Sequence, residues 1–104
     1  MSFNIPRAGR VVQYETPATG STITIGGGSN VEVFINPSGT VLALTCNLPS
    51  SPADGDKVTV SSSQIVTTFT MGNGTIVGAL TTLAVATFAS YTYFATPAKW
   101  VRTG

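Results

Sequence analysis

Histidine is absent from this chain of 104 residues, and acidic residues are few. The lack of histidine removes the commonest general base and metal ligand, together with every Ser-His or Cys-His nucleophile pair. Of the four carboxylates, Asp54 and Asp56 lie in one turn, where they are not held apart across a sugar cleft as a glycosidase pair is. We therefore predict a protein without enzymatic activity, cofactor or metal ion.

Charge of either sign is also scarce. Charged residues make up 9% of the chain, where about a quarter is usual. With a net charge of +1 and five Lys or Arg residues, the chain cannot neutralise many phosphates, which predicts that it does not bind nucleic acid. Low net charge gives weak repulsion between molecules and favours self-association, so we expect a homo-oligomer.

The only cysteine in the sequence is Cys46. A single cysteine excludes an intrachain disulfide and is typical of a protein that folds in a reducing cytosol. Cys46 lies between Leu44 and Leu48 with the period of a strand, and we interpret it as a small buried apolar residue rather than a reactive thiol.

Residues 76–95 carry no charge and have about the length of a membrane span. Five Ser or Thr residues interrupt the stretch, and Gly78 and several β-branched residues weaken a helix. We therefore predict strands that are buried in the protein or between subunits, and no membrane partner.

Two short motifs raise the question of ligand binding. Asp54-Gly55-Asp56 could supply two calcium ligands, but Asp-Gly is a common turn dipeptide, and we favour a turn. Gly26-Gly27-Gly28 is not followed by a lysine or a helix, which predicts a flexible turn rather than a phosphate-binding loop.

Apolar and polar residues alternate in short runs that are separated by turn residues, which predicts an all-β chain. The predicted strands are Arg10 to Glu15, Ser21 to Ile25, Val31 to Asn36, Thr40 to Leu48, Lys57 to Ser63, Gln64 to Met71, Thr75 to Val77, Ser90 to Thr96 and Lys99 to Arg102. In the fourth, Leu42 is in phase with Leu44, Cys46 and Leu48. Helix should be scarce, and Thr81 to Ser90 is the one segment whose sequence is compatible with a short helix.

The turns between the predicted strands also indicate how the strands pair. Glycine-rich turns at residues 26–30 and 72–74 predict hairpins, so we expect a small antiparallel β-sandwich or jelly-roll-like domain. The sequence shows no repeat of fixed period, which argues against a solenoid. Residues 1–9 contain Pro6 and Gly9 and predict an extended N-terminal arm, followed by a single β domain over residues 10–104.

Three segments together resemble a known class of protein: LTCNLPSSPADGDKVTVSSSQ, FTMGNGTIVG and TYFATPAKWVR. They are similar to the β-rich modules of tailed-bacteriophage virion proteins, namely capsid decoration (cement) proteins and the distal parts of tail fibres. The similar elements are Leu48-Pro49, the turn from Pro52 to Asp56, the strand from Lys57 to Val60, Asn73-Gly74 and Lys99-Trp100. The resemblance covers about residues 40 to 102 and implies a virion protein, commonly a trimer.

From this resemblance we expect a decoration protein that stabilises the head shell as a homotrimer. It would bind the major capsid protein at the virion surface after synthesis in the host cytoplasm. A chain of this size that begins with its own Met1 fits a decoration protein better than a tail fibre. The alternative is a receptor-binding tip of a tail fibre or head fibre, in which Tyr14 or Phe34 would stack on sugars.

Two groups of contact residues follow from these expectations. The arm predicts a capsid contact through Phe3, Ile5, Arg7 and Arg10. The uncharged stretch near the C-terminus predicts a subunit interface through Leu80, Leu83, Phe88, Tyr91 and Tyr93.

Overall fold

The structure, a computed structural model, describes residues 10–27, 29–96 and 98–104, and residue 10 by its backbone alone. Within these ranges the chain forms β-strands and no helix. The strands are β1 (Arg10–Glu15), β2 (Ser21–Thr24), β3 (Asn30–Ile35), β4 (Val41–Asn47), β5 (Lys57–Ser62), β6 (Val66–Gly72), β7 (Ile76–Val77), β8 (Phe88–Phe94) and β9 (Lys99–Arg102). The all-β prediction is confirmed.

The first six strands alternate between two sheets and form three stacked coils. β1, β3 and β5 pair in parallel in a six-stranded sheet, here called sheet A, while β2, β4 and β6 pair in parallel in a three-stranded sheet, sheet B. Arg10 aligns with Asn30, and Asn30 with Lys57, so each coil stacks in register on the one before. The chain is therefore solenoid-like. The predicted antiparallel sandwich or jelly roll is wrong, and so is the argument against a solenoid.

The core lies between the two sheets and contains the apolar half of each alternation. Val33 and Val60 are neighbours on the inner side of sheet A, while Ile23, Cys46 and Met71 form a row on the inner side of sheet B. All five are buried. Parallel, in-register pairing places similar side chains over one another, and each fully buried large aliphatic residue contributes roughly 1.5–3 kcal/mol to folding.

The alternation in β4 is interrupted near its start. Val41 and Leu44 are buried, while Leu42, which was predicted to share the inner face of Leu44, is 63% exposed. The backbone amide of Leu42 donates a hydrogen bond to Oγ1 of Thr19 at 3.2 Å. Because two consecutive residues, Leu42 and Ala43, fall outside the core, the period of two shifts by one residue at this point.

The C-terminal third completes sheet A and covers one edge of sheet B. β8 pairs antiparallel with β5 and with β9, and β7 pairs in parallel with β9. The segment before β8 runs beside β6: the amides of Leu83 and Val66 each donate to the other residue's carbonyl, at 3.0 and 2.9 Å. The short helix that the sequence allows over Thr81 to Ser90 is not formed, because the backbone of Thr81 and Leu83 bonds to β6 and the last three residues belong to β8.

The two glycine-rich connections do not close hairpins. The 26–30 region leads from β2 in sheet B to β3 in sheet A, and the 72–74 region leads from β6 in sheet B to β7 in sheet A. Asn73 adopts a left-handed backbone conformation with φ of 68°, and its side-chain amide donates to the carbonyl of Leu48 at 2.7 Å. This turn is therefore held by a bond to the preceding coil.

Candidate assembly surface

The outer side of sheet A carries a line of residues that we call the aromatic row: Tyr14, Phe34, Ser61 and Phe88. Strand register aligns Tyr14 with Phe34, Phe34 with Ser61, and Ser61 with Phe88. Tyr14 is 74% exposed and Phe88 57% exposed. The rings of Tyr14 and Phe34 meet edge to face, with centroids 6.5 Å apart and planes at 89°. The row therefore presents three aromatic side chains and one serine from four neighbouring strands.

The charges of the described part of this face are set back from the aromatic row. The next row along the strands contains Val12 and Glu32, and the one after it contains Asn30 and Lys57. Since a strand rises about 3.3 Å per residue, Lys57 lies about 13 Å along β5 from Ser61. The aromatic row itself contains no ionisable carboxylate or amine.

The outer side of sheet B has a different chemistry. Register places Thr22, Thr45 and Thr70 in one line across the three strands, and Thr68 lies two residues before Thr70 on the same strand. Threonine methyl groups suit the pleated surface, while the hydroxyls can hydrogen-bond water. The two outer faces therefore differ: one is hydroxyl-rich and one is aromatic.

Two of the five predicted subunit-contact residues belong to the core. Leu83 and Tyr91 are both 0% exposed, so they have no surface to offer another subunit, and their assignment is corrected. The hydroxyl of Tyr91 accepts a hydrogen bond from the amide of Leu80 at 3.2 Å, and burial raises the pKa of Tyr91.

The other three contact residues retain some exposed surface. Leu80 and Tyr93 are partly buried against the core, and Phe88 is largely exposed. The ring of Tyr93 lies 5.4 Å from that of Trp100, centroid to centroid. A subunit contact through these three residues stays a prediction.

The predicted capsid contact falls on the N-terminal arm. Phe3, Ile5 and Arg7 lie outside the described residues, and the side chain of Arg10 does as well. This assignment stays a prediction, as does the division into an arm and a single β domain.

The acidic turn uses its carboxylates to hold backbone. Asp56 Oδ2 accepts a hydrogen bond from the amide of Ala53 at 2.9 Å, and Asp54 Oδ1 accepts one from the amide of Ala95 at 2.9 Å. Gly55 has a φ of +88°, which favours glycine. The described residues contain no group of three or more Cys, Asp or Glu side chains placed to hold a metal ion. These contacts agree with a turn rather than a calcium site.

Cys46 is a core residue, as the sequence predicts. It is 0% exposed, and burial, with a smaller contribution from the Glu15 carboxylate, raises the pKa of its thiol from 9.0 to about 12. A buried thiol that keeps its proton is a poor nucleophile.

Two adjoining cavities open where the strands of sheet B end. One, of about 440 Å³, is lined in part by Asn47, Ser50 and Asn73. The other, of about 180 Å³, shares Ser50 and Asn73 and reaches Tyr93 and Trp100. No charged side chain lines either cavity.

No membrane-spanning helix is found among the residues that the structure describes.

Comparison of the chain with protein-family models, with curated proteins and with solved structures finds no match in any of the three. Sequence reasoning noticed Tyr14 and Phe34 separately, but it missed that Phe88 lies in the same row. That fact depends on the antiparallel register of β5 and β8, for which the local pattern carries no signal.

Proposed function

We propose that this chain is a structural subunit of a bacteriophage particle, a capsid decoration protein that acts as a homotrimer and has no catalytic role. In this proposal it is made in the host cytoplasm and binds the major capsid protein at the surface of the head. Binding only to the mature shell would stabilise that state by mass action, and three copies on one site would add avidity.

The observation that carries the proposal is the convergence of the virion-like sequence motifs in space. The amide of Asn73 bonds to the carbonyl of Leu48 at 2.7 Å. Trp100 packs so closely over Gly74 that a Cβ at Gly74 would lie 3.3 Å from its ring. Three segments that are distant in sequence thus form one folded unit, which supports a shared module rather than three unrelated turns.

The acidic turn belongs to the same unit. The amide of Gly55 donates to the carbonyl of Tyr93 at 2.7 Å, and the amide of Tyr93 donates to the carbonyl of Asp56 at 2.8 Å. The carboxylates of this turn are engaged with backbone amides, so they serve structure. This use of half of the chain's four carboxylates supports a non-enzymatic role.

The alternative is a receptor-binding tip of a tail fibre or head fibre. The exposed pair Tyr14 and Phe34 favours it, since aromatic rings are common platforms for ligands. Against it, the two rings meet edge to face and do not form one flat platform.

Location on the particle tests the proposal and separates the two roles. The purified chain is mixed with heads and, separately, with tails of the phage whose genome encodes it, and each mixture is sedimented and imaged by electron microscopy. Binding to heads in multiples of three copies is the expected result. Binding to tails alone would establish the fibre role, and binding to neither would refute a virion function.

A further inference from the structure

We infer that copies of this chain pack against one another through the aromatic row on sheet A, side by side and in the same orientation. This inference rests on the proposed function, because it names the surface that would hold the homotrimer. The proposed interface leaves out Leu83 and Tyr91, which lie in the core, and uses exposed residues such as Tyr14 and Phe88. The occupant of the face is a second copy of this chain.

The direction of the row suits an assembly around a rotation axis. The row crosses β1, β3, β5 and β8 and so runs along the direction in which the coils stack. A symmetry axis parallel to this direction brings identical residues together at the same height. Each layer then contains copies of Tyr14, of Phe34, of Ser61 or of Phe88.

Contact between identical residues is favourable only where they do not repel. The aromatic row meets this condition, because its three rings are neutral and Ser61 can both donate and accept a hydrogen bond. Glu32 lies in the adjacent row, about 7 Å away along the strand direction, and Lys57 about 13 Å away, so packing centred on the row leaves both charges at the rim of the contact, where they keep access to solvent. A surface built for an oppositely charged partner would carry its charges at the centre of the contact.

The spacing of the row suits contact between copies at equal height. Phe34 and Phe88 lie on either side of Ser61, two strand spacings apart, which is about 10 Å. Ser61 then faces Ser61 of the other copy, while Phe34 faces Phe34 and Phe88 faces Phe88. Aromatic rings prefer centroid separations of about 4.5–7 Å, and the small serine between them leaves the rings of the two copies free to approach to this distance.

The size of the face decides how much of it a stable contact must use. The four strands that carry the row are six or seven residues long and at about 4.8 Å spacing give a face of about 15 by 20 Å. Side-chain relief makes its accessible area larger than this plan area of on the order of 300 Å². Stable interfaces bury about 800 Å² per partner, so the contact has to extend from the row to the rim of the face.

Cross-linking through the centre of the row is the sharpest test. Because Cys46 is buried, Ser61→Cys adds the one accessible thiol, and a disulfide forms only if the two Cα atoms approach to about 4.4–6.8 Å. Under mild oxidation, Ser61→Cys is expected to give a covalent dimer on a non-reducing gel. The matched control Leu42→Cys, exposed on β4 of sheet B, should stay monomeric on the same gel.

Sedimentation of truncated variants gives an independent readout. Tyr14→Ser and Phe88→Ser should each weaken self-association by at least about tenfold, whereas Leu42→Ser, which removes an equally exposed apolar side chain, should leave it unchanged. Circular dichroism confirms that each variant keeps its strand content. If a truncated variant unfolds, the presence or absence of the Ser61→Cys cross-link decides the test.

The outcomes separate this inference from the proposed function. A wild-type chain that stays monomeric at tens of micromolar refutes both the homo-oligomer and the aromatic row as its interface. A wild-type oligomer that Tyr14→Ser and Phe88→Ser do not weaken, and that Ser61→Cys does not cross-link, overturns the row alone. Equal cross-linking of Leu42→Cys also overturns it.

Discussion

Removal of the Cys46 thiol is expected to make the protein less sensitive to alkaline pH. Below pH 9 the thiol is protonated in both the folded and the unfolded chain, so it adds no pH dependence. Between pH 9 and about 12 the unfolded chain loses this proton while the folded chain keeps it, because the folded pKa is raised. Rising pH therefore favours the unfolded state over this window.

The loss of stability with pH follows from the size of the pKa shift of Cys46. Each pH unit within the window lowers the free energy of unfolding by about 1.4 kcal/mol, so the full window corresponds to about 4 kcal/mol. At pH 10.5, halfway through it, the expected loss is about 2 kcal/mol. Cys46→Ala lacks this loss, although its stability at neutral pH is lower because a small cavity remains.

The assay is denaturant unfolding at pH 8 to 11, followed by the fluorescence of Trp100, the only tryptophan and a buried one. Wild type and Cys46→Ala are compared at one protein concentration, and the quantity of interest is the difference between their pH slopes. Tyr91 also has a raised pKa, caused mainly by burial, and Cys46 is the smallest contributor to that shift, so most of the Tyr91 effect is common to both proteins and cancels in this difference. Equal slopes would refute the burial argument for Cys46.

Two further changes probe the core and the acidic turn. Leu83→Ala should lower the free energy of unfolding by about 2–5 kcal/mol in chemical denaturation, since Leu83 is fully buried against β6. The exposed control Val85→Ala should change it by less than about 0.5 kcal/mol. Asp54→Ala and Asp56→Ala should each cost about 1 kcal/mol through lost bonds to backbone amides, and millimolar calcium should leave the wild-type melting temperature unchanged. A calcium-dependent rise would show that the turn binds the ion.

The positions of the strands could be predicted from the sequence because the two signals that define them, strand-forming residues and the turn residues between them, are local. The adjacent β-branched residues in RVVQYE and the turn residues that follow place β1 at Arg10–Glu15, and KWVR places β9 at Lys99–Arg102. Inward residues such as Val31 and Val58 are also recognisable from period two alone. The pattern failed at Leu42, where two consecutive residues leave the core and only the tertiary pairing shows it.

The pairing of the strands could not be predicted, because the coils have unequal lengths. The aligned residues Arg10 and Asn30 are 20 positions apart, while Asn30 and Lys57 are 27 apart. The longer second coil contains the acidic turn, and this insertion removes any fixed period. Glycine and Asn-Gly turns normally indicate hairpins, but here they cross between sheets, so local turn chemistry favoured the wrong topology.

The scarcity of charge and the aromatic row have a common physical explanation in the two faces of the solenoid. Sheet B exposes Thr22, Thr45 and Thr70, whose hydroxyls interact with water, so this face needs few ionised side chains. Sheet A exposes Tyr14 and Phe88 in a row that contains no charged side chain. A chain with one hydroxyl-rich face and an aromatic row on the other gains free energy when the row is covered. In the proposed packing, the neutral row of one copy covers the same row of another, so that no charge is buried at the centre of the contact.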